Sequence, residues 1–485
     1  MTVRHAAAWS MAAQYATFAI QFAANVVISR FFLLPADVGL FSIALAAAMV
    51  VAVFQDMGVT RFVSGQKEMR PAAVRSYVSV ALAFGWLVAA ALALSASAIA
   101  GFYGSAGLRN LLGLIAASYL IAPLATVPAA LLMRDMNFRA LFAVNSGSAL
   151  LGNGAAVALA WQGFGAASLA WAVLITAVAR SAIAMLLRPV WPGRPASRED
   201  LRPLLRFSSA SFVIAASGAI GQRSQDLLVG RLLGLTATGL FSRAGALAAQ
   251  LVTLLTSAIS TVFYAAFARK RDAGEPLAEP YLHLVACNTA LNWAAMVGLA
   301  LTAKPLILML YGDRWVEAAP LLRWMALSEI LFIAVPLQMD IPILLGRIRT
   351  LIWFNLLDTV AAITLLALAC LVSLEASALS RIAYACVWWA IYAPFQSRLL
   401  GFRMRELALV YLRSAACALA AGLPLMAALT QMPGEAIGFA GLILLSGAGV
   451  LFWLAALWLT RHPAREEIRL AAAHLLPVAR ARPAG

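Results

Sequence analysis

The chain has 485 residues, of which 63% are hydrophobic and 12% charged, with a mean hydropathy of +0.89. A water-soluble domain carries about 25% charged residues, so these proportions exclude a globular protein surrounded by water. The net charge of +16 is spread in small groups between apolar blocks rather than gathered into a basic surface, and no nucleic-acid partner is expected.

The apolar residues fall in blocks of about 20, the length a helix needs to cross about 30 Å of hydrocarbon. Alternating ten-residue segments, the mark of a membrane β-barrel, are absent. The expected class is an all-α polytopic membrane protein. Fourteen spans are expected. They lie at residues 9–31, 38–54, 76–101, 108–133, 141–161, 165–187, 207–233, 238–267, 282–302, 321–345, 351–374, 378–396, 414–430 and 437–459. Only Arg4 precedes the first block, which runs past Asn25 without a cleavage site, so it reads as a retained span rather than a signal peptide.

Charges between the spans set the orientation. With the N-terminus cytoplasmic, 26 of the 36 basic residues fall in loops or tails on the cytoplasmic side; the opposite side holds Arg30, Arg109, Lys304, Arg314, Arg323 and Arg381. This bias predicts an even number of spans with both termini inside. The longest cytoplasmic connection carries Pro189, Pro192, Gly193, Pro195 and Pro203 among five arginines and divides the first twelve spans six and six. The expected organisation is an N-terminal lobe at 1–190 and an inter-lobe linker at 191–206. A C-terminal lobe at 207–398 follows, then a helix pair within 399–459 and a basic cytoplasmic tail at 460–485.

An internal repeat supports the division. Val26-Val27-Ile28-Ser29-Arg30 leads into Gly39-Leu40-Phe41-Ser42, and Leu227-Leu228-Val229-Gly230-Arg231 leads into Gly239-Leu240-Phe241-Ser242. Both copies occupy the junction between the first and second spans of their halves, on the outer side. Two parallel six-helix repeats follow, related by an axis along the membrane normal, with a substrate path between them.

Polar residues inside spans are the candidate site, because they are costly in hydrocarbon and usually face a cavity or a partner. The first span carries Gln21, Asn25 and Arg30; the seventh carries Ser208, Ser211, Gln222, Arg223, Asp226 and Arg231; the eighth carries Arg243 and Gln250. Spacings of three and four place Gln21 with Asn25, Ser208 with Ser211, Gln222 with Asp226, and Arg243 with Gln250 on one face per helix, with Arg223 on the adjacent stripe. By helical rise, Arg30, Arg223, Arg231 and Arg243 all fall in the outer half of the membrane. Guanidinium forks match phosphate oxygens, so a cavity lined this way suits an anionic substrate. The other readings stay open: an internal ion pair between Arg223 and Asp226, and headgroup contacts for Arg30 and Arg231. Glu329, Asp340 and Asp358 read as helix-packing partners, solvated span ends or coupling-ion groups.

No enzyme is expected, since the sequence has no GxxxxGK[ST], HExxH or dinucleotide-binding GxGxxG signature. Cys287, Cys370, Cys386 and Cys417 lack CxxC spacing, and His5, His283, His462 and His474 lack ligand spacing, so neither disulfides, metal nor another cofactor is expected. Without a nucleotide site, transport would be facilitated or driven by an ion gradient or the membrane potential.

The stretch from Asp226 to Gly234 followed by Gly239-Leu240-Phe241-Ser242-Arg243-Ala244 resembles the opening of the second half of bacterial polysaccharide flippases. Tyr311-Gly312-Asp313-Arg314-Trp315 with Ala318-Ala319-Pro320-Leu321-Leu322 is similar to that family's Gly-x-x-Trp loop. Ser29-Arg30, Asp37, Gly39-Leu40-Phe41 and Asp56-Met57-Gly58 resemble its first helix pair. The superfamily also holds multidrug exporters and peptidoglycan-precursor flippases. The resemblance implies a two-lobe, V-shaped transporter with a cationic cavity in the bacterial inner membrane, surrounded by membrane lipids. Its implied cargo is an undecaprenyl-diphosphate-linked oligosaccharide for exopolysaccharide, capsule or O-antigen, with a polysaccharide polymerase and a chain-length regulator as candidate partners. A cation-coupled multidrug exporter and a peptidoglycan lipid-precursor flippase are the alternatives. The former would carry acidic groups deep in its first lobe, and the latter concentrates its cavity arginines there.

Overall fold

The computed structural model describes residues 3–56, 59–65, 70–193, 218–431 and 438–475. Ser208 and Ser211, Met57 and Gly58, the linker from residue 194 and the last ten residues of the tail lie outside them. Among the described residues every regular element is helical.

Helices α1 (Val3–Val27), α2 (Pro35–Asp56), α3 (Val59–Gly65), α4 (Pro71–Tyr103), α5 (Gly107–Ile121), α6 (Pro123–Arg134), α7 (Phe138–Trp161) and α8 (Ala166–Leu187) make up the first part of the chain. Then come α9 (218–232), α10 (Leu235–Asp272), α11 (Ala278–Leu301), α12 (Ala303–Tyr311), α13 (Ala318–Ile333), α14 (Asp340–Leu344), α15 (Ile348–Cys370) and α16 (Leu374–Leu400). The last are α17 (Met404–Gln431), α18 (Phe439–Leu459) and α19 (Ala464–Leu475).

Ten of these helices are long and apolar enough to cross a membrane, or eleven when α5 and α6 count as one bent span. The expectation of fourteen exceeds this for three local reasons. The span expected at 207–233 is described only from residue 218, as α9. The one expected at 321–345 is broken between α13 and α14. The one expected at 378–396 lies inside α16, which carries Glu375, Arg381 and Arg398 and is not among the ten. The α5–α6 break bends the chain by 47° at Pro123. Proline has no N–H to give and its ring crowds the preceding turn, which is the usual origin of a sharp kink.

The chain divides into two compact units, Met1–Ser242 with Leu310–Arg314, and Arg243–Met309 with Trp315–Gly485. The boundary falls inside α10. In the first unit a core of Ile43, Ala44, Val88, Leu92, Leu112, Ile115 and Ala170 joins α2, α4, α5 and α8. Alanine and glycine let these helices approach closely, the usual packing device where lipid supplies no hydrophobic drive. At Gly152 of α7 a Cβ would meet Thr176 of α8 at 1.8 Å. In the second unit Ala290, Cys417, Leu457 and Ala464 gather α11, α17, α18 and α19 around one core.

Candidate functional site

The repeated Gly-Leu-Phe-Ser strings start two helices that cross each other within the first unit. At Gly39 of α2 a Cβ would meet the carbonyl oxygen of Leu235 at 1.8 Å; at Gly239 of α10 it would meet that of Pro35 at the same distance. The two contacts are related by a constant offset of 200 positions, so the duplication has become a local two-fold crossing. Ser42 Oγ donates to Ser242 Oγ at 3.0 Å across it. Gly230, at the end of α9, leaves room for Ile43 of α2. The glycines are therefore explained by close backbone approach, with helical φ at both.

Three of the expected site residues lie at the end of α1. Gln21 is exposed, Asn25 half-buried and Arg30 exposed. The helix finishes in a π turn, Ile28–Phe32, closed by the Leu33 N–H donating to the Ile28 carbonyl at 2.9 Å. Such wide turns are frequent at functional sites; here the turn buries Ser29 while presenting Arg30. Alongside, Thr17 and Ser146 of α7 lie 3.4 Å apart.

Four more lie on α9. Gln222 is exposed, and Arg223 and Asp226 are half-buried within electrostatic reach of each other. Arg223 also acts on Tyr119 of α5, so this cation stands between a carboxylate and a phenol. Arg231 stacks over the Phe102 ring of α4 at 4.6 Å, and Tyr103 donates to the Leu227 carbonyl at 3.0 Å. A guanidinium on an aromatic face is held by the ring quadrupole and keeps its edge donors available.

Arg243 and Gln250 belong to the second unit. Gln250 is half-buried, whereas Arg243 is 8% exposed, with its guanidinium 6.0 Å from the Trp315 ring centre. Trp315 itself is fully buried in a short 3-10 turn, Asp313–Trp315. The Gly-x-x-Trp loop thus supplies an aromatic floor for this arginine. The structure brings together Arg223 with Asp226, and Gln21 with Asn25 and Arg30 along one helix end; Arg231 and Arg243 each have a separate aromatic partner.

Further polar groups in the second unit fall outside the expected site. Arg381 of α16 pairs with Glu329 of α13 at 2.8 Å, with side chains 15% and 13% exposed. Phe332 lies 5.7 Å under the same guanidinium, and Trp324 donates to Glu375 at 3.0 Å. Sequence reading placed Arg381 among the outer-side charges. The signal that locates it on a packed face is the series Ser377, Arg381, Ala385, Trp388, Tyr392 and Gln396, whose spacing of three and four marks one stripe of α16.

The arrangement holds cations and hydrogen-bond donors, which suits recognition of an anionic, hydroxyl-rich ligand. The family described as polysaccharide biosynthesis protein matches residues 27–320, more than half of the chain. The chain is 28% identical over 365 residues to the succinoglycan biosynthesis transport protein ExoT of Rhizobium meliloti (strain 1021), covering 74% of this chain and 73% of that one. It is 21% identical over 301 residues to the lipopolysaccharide biosynthesis protein WzxC of Escherichia coli (strain K12), covering 60% of each. Its fold is similar to that of the lipid II flippase MurJ in an inward closed conformation, with a TM-score of 0.73 at 13% identity over 95% of this chain and 99% of that one. Repeat, arginine-bearing helix ends and family match agree: this multi-pass membrane protein belongs to the polysaccharide biosynthesis protein family.

Proposed function

We propose that the protein is a flippase for polysaccharide precursors, and that its cargo is an oligosaccharide repeat unit carried on undecaprenyl diphosphate. Family membership and the succinoglycan and lipopolysaccharide relatives support the polysaccharide part of this reading; the MurJ-like fold supports the flippase part. In the proposed topology fourteen spans form two six-helix repeats and a final helix pair in the inner membrane, both termini are cytoplasmic, and the repeats rock to give alternating access. A polymerase and a chain-length regulator would act on the flipped product.

The observation that carries the cargo assignment is the placement of arginines at the α1 and α9 ends and at the start of α10. Arg30, Arg223, Arg231 and Arg243 offer permanent positive charge to a diphosphate, and guanidinium forks bind phosphate oxygens in pairs. Gln21, Asn25, Gln222 and Gln250 supply amides for sugar hydroxyls, and Asp226 tunes the neighbouring Arg223. The lipid tail stays in the bilayer. Replacing Arg223 or Arg243 by Ala is expected to abolish surface-polymer export while the protein persists in the membrane at normal level. Normal export in both variants would overturn the cargo assignment.

A further inference from the structure

The span expected at 321–345 breaks between α13 and α14, and the break is held unequally on its two sides. On the α13 side, carbonyls left over by the ending helix are taken by side chains of neighbouring helices. The Ala334 N–H turns to the Leu331 carbonyl at 3.2 Å, which frees that of Ile330, and Trp293 of α11 donates to it at 2.8 Å. Asn288 of α11 donates to the Ile333 carbonyl at 3.0 Å, and Tyr411 of α17 donates to that of Ala334 at 2.7 Å. Asn288 and Trp293 are both buried. A buried helix end supplied with donors in this way is fixed in place.

On the α14 side the hold is slighter. Tyr281 reaches the Pro336 carbonyl at 3.4 Å, a long bond, and Arg271 of α10 donates from Nη1 to the Leu344 carbonyl at 2.9 Å in an exposed position. Between these contacts Leu337, 8% exposed, has a φ of +54°. That left-handed backbone is unfavourable for leucine and persists only where the surroundings impose it. The Leu337 carbonyl accepts the Ile341 N–H at 3.1 Å, so rotation at Leu337 carries the short helix with it. Gly346, with a φ of +73°, ends that helix, and the Arg347 N–H closes on the Pro342 carbonyl at 2.8 Å. A five-residue helix thus lies between two left-handed residues, one of them strained. Ile341 is fully buried, so the helix is seated in this structure. By helical rise the break is about 24 Å from the start of α13, which puts α14 at the far end of the span. Helix α10 runs unbroken from Leu235 to Asp272 and carries Arg243 near its start and Arg271 at its end. A shift of this helix is passed to α14 through the Arg271–Leu344 bond.

We propose that α14 is a lid that swings about Leu337 and is latched shut by Arg271. The hinge stands apart from the flippase reading; its use as a gate in the transport cycle rests on that reading. The test is hydrogen exchange followed by mass spectrometry on the full-length protein in detergent, comparing peptides from residues 338–347 with peptides from α13. In the unmodified protein the lid peptides should exchange well ahead of α13. Arg271→Ala removes the latch alone and should speed exchange in the lid about fivefold, the worth of one hydrogen bond, with α13 unchanged. Leu337→Ile keeps the apolar volume, but β-branching opposes a positive φ, so lid exchange should rise about tenfold; an ordinary packed leucine would tolerate that exchange of residues. Equal exchange in the lid and α13 of the unmodified protein would overturn the proposal. So would lid exchange that neither substitution moves, or that rises only in step with α13 and a lower melting temperature. Faster lid exchange in Arg271→Ala with polymer export unchanged would retain the hinge and remove only its part in transport.

Discussion

Ser42 and Ser242, exactly 200 positions apart in the chain, share a hydrogen bond of 3.0 Å at the crossing of α2 and α10. The glycine one turn before each serine lies against the carbonyl of the other helix's first residue, Pro35 or Leu235. Two copies of one sequence string have become partners in the same contact. A duplicated helix start can meet itself this way only if both copies stay small at the same position.

That requirement is testable. Gly39→Ala or Gly239→Ala would put a methyl group 1.8 Å from a carbonyl oxygen, and the helices would have to part by roughly 1 Å. Each variant is expected to lose about 1–3 kcal/mol, read as a lower melting temperature in detergent. Alanine at the neighbouring Leu40 position would leave the backbone contact in place.

The serine pair should behave differently. Ser42→Ala and Ser242→Ala remove one hydrogen bond between helices, with a coupling energy of about 0.5–1.5 kcal/mol. In a double-mutant cycle the second substitution should cost less than the first. Additive losses would show that the two hydroxyls are satisfied independently.

The crossing was legible from sequence because it depends on local strings repeated at equal spacing. Hydropathy likewise located α1, α2, α4, α7, α8, α11, α15, α17 and α18. It merged α5 with α6 because a sliding average does not register the missing N–H of Pro123, and it ran through the break at residues 334–339 for the same reason. The arginines of α9 and α10 were visible as charges in apolar surroundings. Their aromatic partners were not, since Phe102 lies 129 positions before Arg231 and Trp315 lies 72 after Arg243. Asp358 was visible as a carboxylate within an expected span, but its neighbours Tyr384 and Tyr392 come from another helix, and only packing brings them together.

The Glu329–Arg381 pair illustrates what such packing costs. Both side chains are largely buried, and the Arg381 Nε also lies 3.4 Å from Ser328 Oγ. Breaking a buried pair from one side strands the other charge, at about 3–5 kcal/mol, whereas replacing both partners with apolar groups is often neutral. Arg381→Met and Glu329→Leu are each expected to lower the melting temperature sharply, and the double variant to recover most of the loss. Export measured on the double variant then asks whether the charges serve transport, separately from stability.

His462 supplies the pH dependence. It is fully buried in the turn between α18 and α19. Its Nδ1 accepts the Ala464 N–H at 3.2 Å, which leaves the proton on Nε2 to be donated to Ser414 Oγ at 3.1 Å. Ser414 lies 2.8 Å from Thr289 Oγ1, and Thr289 donates to the Val285 carbonyl at 2.7 Å, so a neutral imidazole completes a satisfied chain linking α11, α17 and the α19 turn. Burial, then the charges of Arg413 and His283, push its pKa down to about 4, against about 6.5 in the unfolded chain. Between those values the unfolded chain binds a proton that the folded one refuses, so stability is intact above about pH 6.5 and falls as the pH drops toward 4. Melting temperature should therefore decline from pH 7.5 to 5, and His462→Gln should flatten that decline while lowering stability at pH 7.5. Because the same turn docks α19, acid should also speed proteolysis after Arg465 and Arg469 in the unmodified protein. A cleavage rate in that helix that does not change with pH would show that α19 is held by Ile468 and the Glu467–His283 contact, 3.1 Å long, without help from His462.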